Sequence, residues 1–137
     1  MDHRWFLAVA VVLAACARAY ATPTEIRTMA APDTVFACAR EQLGALDYNQ
    51  NSLDVEALRV NGTKIDLKSR RSDTQFRRLL NKLEVEVSPG ADGQTSLTVV
   101  PRTFAEYTTQ RGPTEVEEKS SQEVRSDAEQ LLERCKG

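Results

Sequence analysis

The chain is poor in the residues on which much enzyme chemistry depends. Among 137 residues it has a single histidine, His3, and a single tryptophan, Trp5, both within the first five positions. If the N-terminal segment is removed during export, the mature chain has neither. A chain without histidine builds no Ser-His-Asp or Cys-His arrangement and none of the zinc ligand sets that use histidine. Cysteine is also scarce. Cys16, Cys38 and Cys135 are too widely spaced for a four-thiolate zinc site or a CxxC redox pair. No glycine-rich phosphate loop occurs. The stretch SPGADG at 88–93 has glycines, but neither the Lys-Ser/Thr ending nor the strand-to-helix setting such a loop needs. Aromatic residues make up 6% of the chain, so Leu, Val and Ala must build most of any core. These shortages leave no cofactor to expect, and they weigh against enzymatic activity.

What is present suits one small domain. A net charge of -2 and 41% apolar residues fit a globular fold rather than a disordered chain. Few aromatics and no recognition-module signature also disfavour nucleic-acid binding.

The chain opens with MDHRWFLAVAVVLAA. Arg4 and the free amine give a positive start, and Trp5 to Ala15 form an apolar run. That run is too short to span a bilayer, which takes about 20 residues, but it has the length of a signal-peptide core. It ends at Leu13-Ala14-Ala15-Cys16. This segment resembles the precursors of bacterial lipoproteins, whose lipobox is Leu, two small residues and Cys. The resemblance covers residues 1–16 and implies that Cys16 receives a diacylglyceryl group. It also implies cleavage before Cys16 and frequent acylation of the new amine, palmitate being a typical chain. Ala17 rather than Asp at the next position implies the outer membrane, facing the periplasm, in an organism with two membranes. Two or more chains on one residue anchor stably where one holds marginally. In the alternative reading, ordinary signal peptidase cuts after Ala19 or Ala21, since ARA and AYA both satisfy the small-x-small rule. The product is then a free periplasmic or secreted protein.

Either processing route disposes of Cys16 as a disulfide partner and leaves Cys38 and Cys135 as a pair. Cys38 borders a helical stripe of Phe36, Ala39, Leu43 and Leu46. Cys135 continues a stripe of Val124, Ala128, Leu131 and Leu132. Both thiols therefore face a core from helices at opposite ends of the chain. In an oxidising compartment they are expected to bridge, although two buried free thiols are the other outcome.

The remaining pattern reads as an α+β domain at 32–137, preceded by a signal peptide at 1–15 and a lipidated N-terminus and tether at 16–31. A short strand is expected near 25–29. A first helix is expected over Asp33–Leu46 with Asp33 as N-cap. Asn61-Gly62 predicts a type I′ hairpin turn that sets Leu58 opposite Ile65 and Val60 opposite Thr63. KLEVEV alternates, predicting a strand with Leu83, Val85 and Val87 inward. TSLTVVPRTF is the returning strand, and its Pro101 predicts an edge or a bend. A capping box at Thr114/Glu117 or Ser120/Glu123 starts the last helix. The expected architecture has two layers, with an N-terminal helix, a small antiparallel meander sheet and a C-terminal helix.

Charge is uneven. Residues 64–82 hold Lys64, Lys68, Arg70, Arg71, Arg77, Arg78 and Lys82 against Asp66 and Asp73. Such a stretch can meet anionic headgroups or an acidic partner. It can also be a solvated surface neutralised by the acidic C-terminal helix. Glu84 and Glu86 share one strand face, and a solvated face explains them more simply than a glycosidase pair does. The expected protein is a membrane-anchored envelope module working through a protein partner. A small-ligand or lipid-binding domain is the alternative.

Overall fold

The computed structural model describes residues 20–137. It contains two helices and a six-stranded antiparallel sheet, an α+β fold. The order is β1 (Thr24–Thr28), α1 (Pro32–Ala45), β2 (Asn49–Asp54), β3 (Arg59–Asp66), β4 (Phe76–Pro89), β5 (Thr95–Thr109), β6 (Gly112–Glu118) and α2 (Gln122–Arg134). The strands lie in the order β1-β5-β4-β3-β2, with β6 also on β5. Strands β2 to β6 therefore form the expected meander. The short strand expected near 25–29 is present as β1. The helices are placed differently from the expected layout with an N-terminal helix, because this strand joins the sheet ahead of α1. Strand β1 lies inside the segment read as a tether and anneals to β5.

Strand β5 pairs with β4 from Thr95 to Tyr107. Its other side is shared. Strand β1 takes Thr95 to Val99 and β6 takes Thr103 to Thr109. Pro101, which has no N–H to donate, falls in the gap between those two partners. The proline marks a break in pairing along one side of a long internal strand.

The Asn-Gly expectation fails. Asn61 and Gly62 lie inside β3, opposite Glu84 and Leu83. The reversal occurs at 55–58 instead, where Asp54 Oδ1 accepts a hydrogen bond from the Ala57 amide at 3.0 Å and Leu58 takes φ of 53°. Val60 accordingly pairs with Leu53 rather than lying across from Thr63. Gly62 has a packing reason. A Cβ there would stand 2.9 Å from Tyr48 Cβ and 3.2 Å from Leu43 Cδ2.

Both caps also differ from expectation. Ala31 is the N-cap of α1 with no side-chain bond, Pro32 opens the helix, and Asp33 lies in its first turn. Proline tolerates that position because its missing N–H would have no helical acceptor. The helix ends with Asp47 at φ 67°. The Tyr48 amide donates to Leu43 O and the Asp47 amide to Gly44 O, the bond pair of a Schellman cap. Helix α2 is capped by Ser121, which accepts from the Val124 amide at 3.2 Å. Neither capping-box pair expected from the sequence is the cap, and Thr114 lies within β6.

The core joins one sheet face to both helices. Val35, Phe36, Ala39 and Leu43 of α1 meet Val124, Ala128, Leu131 and Leu132 of α2 over Val60, Leu83, Val85, Val87, Leu97 and Val99. The stripes read on α1 and α2 and the alternation read on β4 are those that bury. Cys38 and Cys135 are bonded, with an S–S distance of 2.09 Å and Cα atoms 5.7 Å apart. The bond ties the middle of α1 to the end of α2.

Candidate functional site

Cys16, the lipidation candidate, and the rest of the signal segment lie outside the described residues. The first described residue, Tyr20, is joined to the fold. Its carbonyl accepts a hydrogen bond from the Ser120 amide at 3.0 Å, and Ser120 itself is buried.

The seven basic residues of 64–82 do not form one patch, because cross-strand geometry sends them to both faces of the sheet. Lys64 is on the helix side. Its ammonium lies 2.7 Å from an Asp127 carboxylate oxygen, 3.2 Å from Glu123 and 3.2 Å from the Leu46 carbonyl. Arg71 is held by Glu118 and donates to the Tyr107 hydroxyl at 3.1 Å. Arg77 and Arg78 approach the buried Glu106 at 3.4 and 3.3 Å. The contact between Arg78 Nε and Glu106 Oε1 is an ion pair whose angle misses hydrogen-bond geometry. Lys82 pairs with Glu115 at 2.8 Å and stands 4.4 Å from the centre of the Phe104 ring. Arg70 turns back onto the Leu67 and Ser69 carbonyls. Lys68 is the one member whose side chain has no partner among the described residues. The stretch is thus neutralised largely by carboxylates of β5, β6 and α2.

The sheet face away from the helices carries cross-strand ion pairs. Arg59 pairs with Glu86 at 3.2 Å, and Arg102 with Glu84 at 2.9 Å and Glu117 at 2.7 Å. Glu84 and Glu86 are therefore each bound by an arginine. They do not converge as an acid and base pair. A shallow groove of about 540 Å³ crosses this face, bordered by Ser52, Asp54, Arg59, Glu84, Glu86 and Val100.

Two buried polar networks fix α2 to the sheet, and the sequence reading missed both. In one, Asn81 Oδ1 accepts from the Thr103 hydroxyl at 2.9 Å and the Ser121 hydroxyl at 3.0 Å. The Ser121 amide donates to Thr103 Oγ1 at 2.8 Å. In the other, the Tyr48 hydroxyl donates to Asp127 at 2.8 Å, beside Lys64. Burial, then the Asp127 bond, raises the Tyr48 pKa above its ordinary value. Burial opposes the charged form of Lys64, but its bonds to Asp127 and Glu123 outweigh that and raise its pKa. The Arg71 bond lowers the Glu118 pKa against the opposing effect of burial. A signal for Asp127 was present in the sequence. It is three residues from Val124 and four from Leu131, on the apolar stripe itself.

A second groove, of about 480 Å³, lies where the N-terminal arm meets α2. Tyr20, Thr22, Thr24, Pro101, Lys119 and Arg125 line it, with Ser120 and Glu129 completing the wall. Among the described residues, no group of three or more His, Cys, Asp or Glu is placed to hold a metal ion. No described helix is long and apolar enough to cross a membrane. No family model matches the chain, and no curated protein is similar enough to match it.

Proposed function

We propose that the chain is a bacterial envelope lipoprotein, anchored through lipidated Cys16, whose two-layer domain is a non-enzymatic interaction or accessory module. The observation that carries the anchor is Leu13-Ala14-Ala15-Cys16 at the end of the apolar run, and the Cys38–Cys135 bond supports export. That bond uses both cysteines of the domain, so Cys16 is not required as a disulfide partner whether it is lipidated or removed. Such bonds persist in oxidising compartments, in keeping with export.

The start of the domain also bears on processing. Cleavage after Ala21 would remove Tyr20 and leave the buried Ser120 amide without its acceptor, at a cost of about 1–3 kcal/mol. Cleavage before Cys16 keeps that bond, as does cleavage after Ala19, so the bond disfavours the Ala21 site alone. The packed interior between helices and sheet argues against the alternative of a small ligand held there. The charged outer sheet face, whose ion pairs join β3 to β4 and β4 through β5 to β6, suits a partner of complementary charge.

Membrane retention of a Cys16→Ser variant tests the proposal. The native protein is expected to stay with washed membranes and the variant to move to the soluble exported fraction. Equal retention of the two would refute the anchor.

A further inference from the structure

We infer that the groove between Tyr20, Pro101 and α2 is the membrane-facing side of the domain, where anionic phospholipid headgroups meet Lys119 and Arg125. The inference rests on lipidation of Cys16, and three observations carry it beyond that reading.

The first is covalent reach. Four residue steps separate Cys16 from Tyr20, and even fully extended they span at most about 14 Å. Tyr20 is fixed to the fold through Ser120, so a bilayer holding Cys16 lies close to this side of the domain. The screening length at physiological salt is about 8 Å, so cations here feel a charged membrane surface when those four steps are less than fully extended.

The second observation is charge. Most cations of the described residues are paired internally. Lys119 and Arg125 are exposed, and neither makes a side-chain ion pair or hydrogen bond among the described residues. Both line the groove, with Glu129 the one carboxylate among its lining residues. The lining therefore carries an excess of positive charge where an anionic surface would approach.

The third is the chemistry of the groove itself. Pro101 has no N–H, and the Thr24 hydroxyl is spent on the Val99 carbonyl at 2.9 Å. These groups offer little to a polar protein surface. Tyr20 is half exposed, at 51%, and tyrosine is a residue favoured at membrane interfaces. A largely apolar recess lined by an exposed tyrosine and two cations unpaired among the described residues matches the boundary between headgroups and acyl chains.

The test uses the full lipidated chain, reconstituted into vesicles of phosphatidylethanolamine and phosphatidylglycerol, some with brominated acyl chains. The mature form has no tryptophan once Trp5 is removed with the signal peptide, so one introduced tryptophan reports alone. Ser126→Trp places it on α2 beside Arg125 and Glu129. Leu53→Trp places it on β2, at the sheet edge away from β1 and the anchor.

The Ser126→Trp emission is expected to shift to the blue and lose intensity to brominated chains, while the Leu53→Trp emission stays red and unquenched. Adding Lys119→Glu and Arg125→Glu is expected to abolish the Ser126→Trp shift while the protein still sediments with the vesicles. Equal behaviour of the two reporters on vesicle-bound protein overturns the orientation and leaves the anchor standing. So does a blue shift that survives the charge reversal, as when the groove is filled by the chain's own N-terminal residues. Failure to sediment with vesicles overturns the anchor, and the orientation falls with it.

Discussion

Lys64 illustrates how misleading a charge can be when read from sequence. It belongs to a basic stretch, yet its ammonium is committed to Asp127, Glu123 and the Leu46 carbonyl. Tyr48 donates to the same Asp127 oxygen. Both Tyr48 and Lys64 hold their protons more tightly in the folded chain than free in water. A raised folded pKa stabilises fully below the unfolded value and loses that stabilisation as pH rises beyond it. Stability should therefore be flat near neutrality and fall above about pH 10. Urea midpoints at a series of pH values test this, and Tyr48→Phe should make the alkaline fall shallower. On the acid side the sign reverses. The depressed Glu118 pKa stabilises above the unfolded carboxyl value, and that is lost as pH falls through the folded one. Glu118→Gln should flatten the loss below about pH 4.

These polar contacts were hard to see in the sequence because each joins positions far apart in the chain. Asp127 resembles the other acids of α2 until its place on the apolar stripe is noticed. Asn81 interrupts the leucines and valines of β4 without revealing that Thr103 and Ser121 will meet it.

Among the secondary-structure elements, legibility followed periodicity. The α2 stripe and the β4 alternation could be read because burial on one face demands a repeat, and Val124, Ala128, Leu131, Leu83, Val85 and Val87 supply it. The β2–β3 reversal could not be read that way. Asn-Gly is a strong turn signal, but Gly62 is present for the close approach of Tyr48 and Leu43. The actual turn uses Asp54 and a left-handed Leu58, residues with no comparable signature.

Two substitutions separate these roles. Gly62→Ala pushes a methyl group against Tyr48 Cβ and should cost about 1–3 kcal/mol, seen as a lower urea midpoint with an unchanged slope. Asp47→Gly relieves a left-handed aspartate at the end of α1. Its side chain makes no hydrogen bond or ion pair among the described residues, so the change should be neutral to stabilising by up to about 1 kcal/mol. Opposite signs from the two glycine substitutions would separate a packing glycine from a conformational one.

Taken together, the domain is a sheet covered on one side by two helices that a single covalent bond ties together. The Cys38–Cys135 bond spans a sequence separation of 97, and closing so long a loop contributes roughly 4–5 kcal/mol by the chain-entropy account. Replacing both cysteines with alanine should lower Tm by on the order of 15–20 °C, measured by calorimetry against the oxidised protein. Little change would mean that the packed core stands without the bond. The pairing itself was foreseeable from parity and helical phase, whereas the placement of β1 beside β5 was not. Nothing in residues 24–28 names a partner so distant in the chain.

The central claim concerns Cys16, and intact mass spectrometry of protein extracted from membranes tests it most directly. The account predicts a chain that begins at Cys16, carries diacylglyceryl and acyl additions, and keeps Cys38 and Cys135 oxidised. A chain that begins at Tyr20 or Thr22 with no added lipid would contradict it.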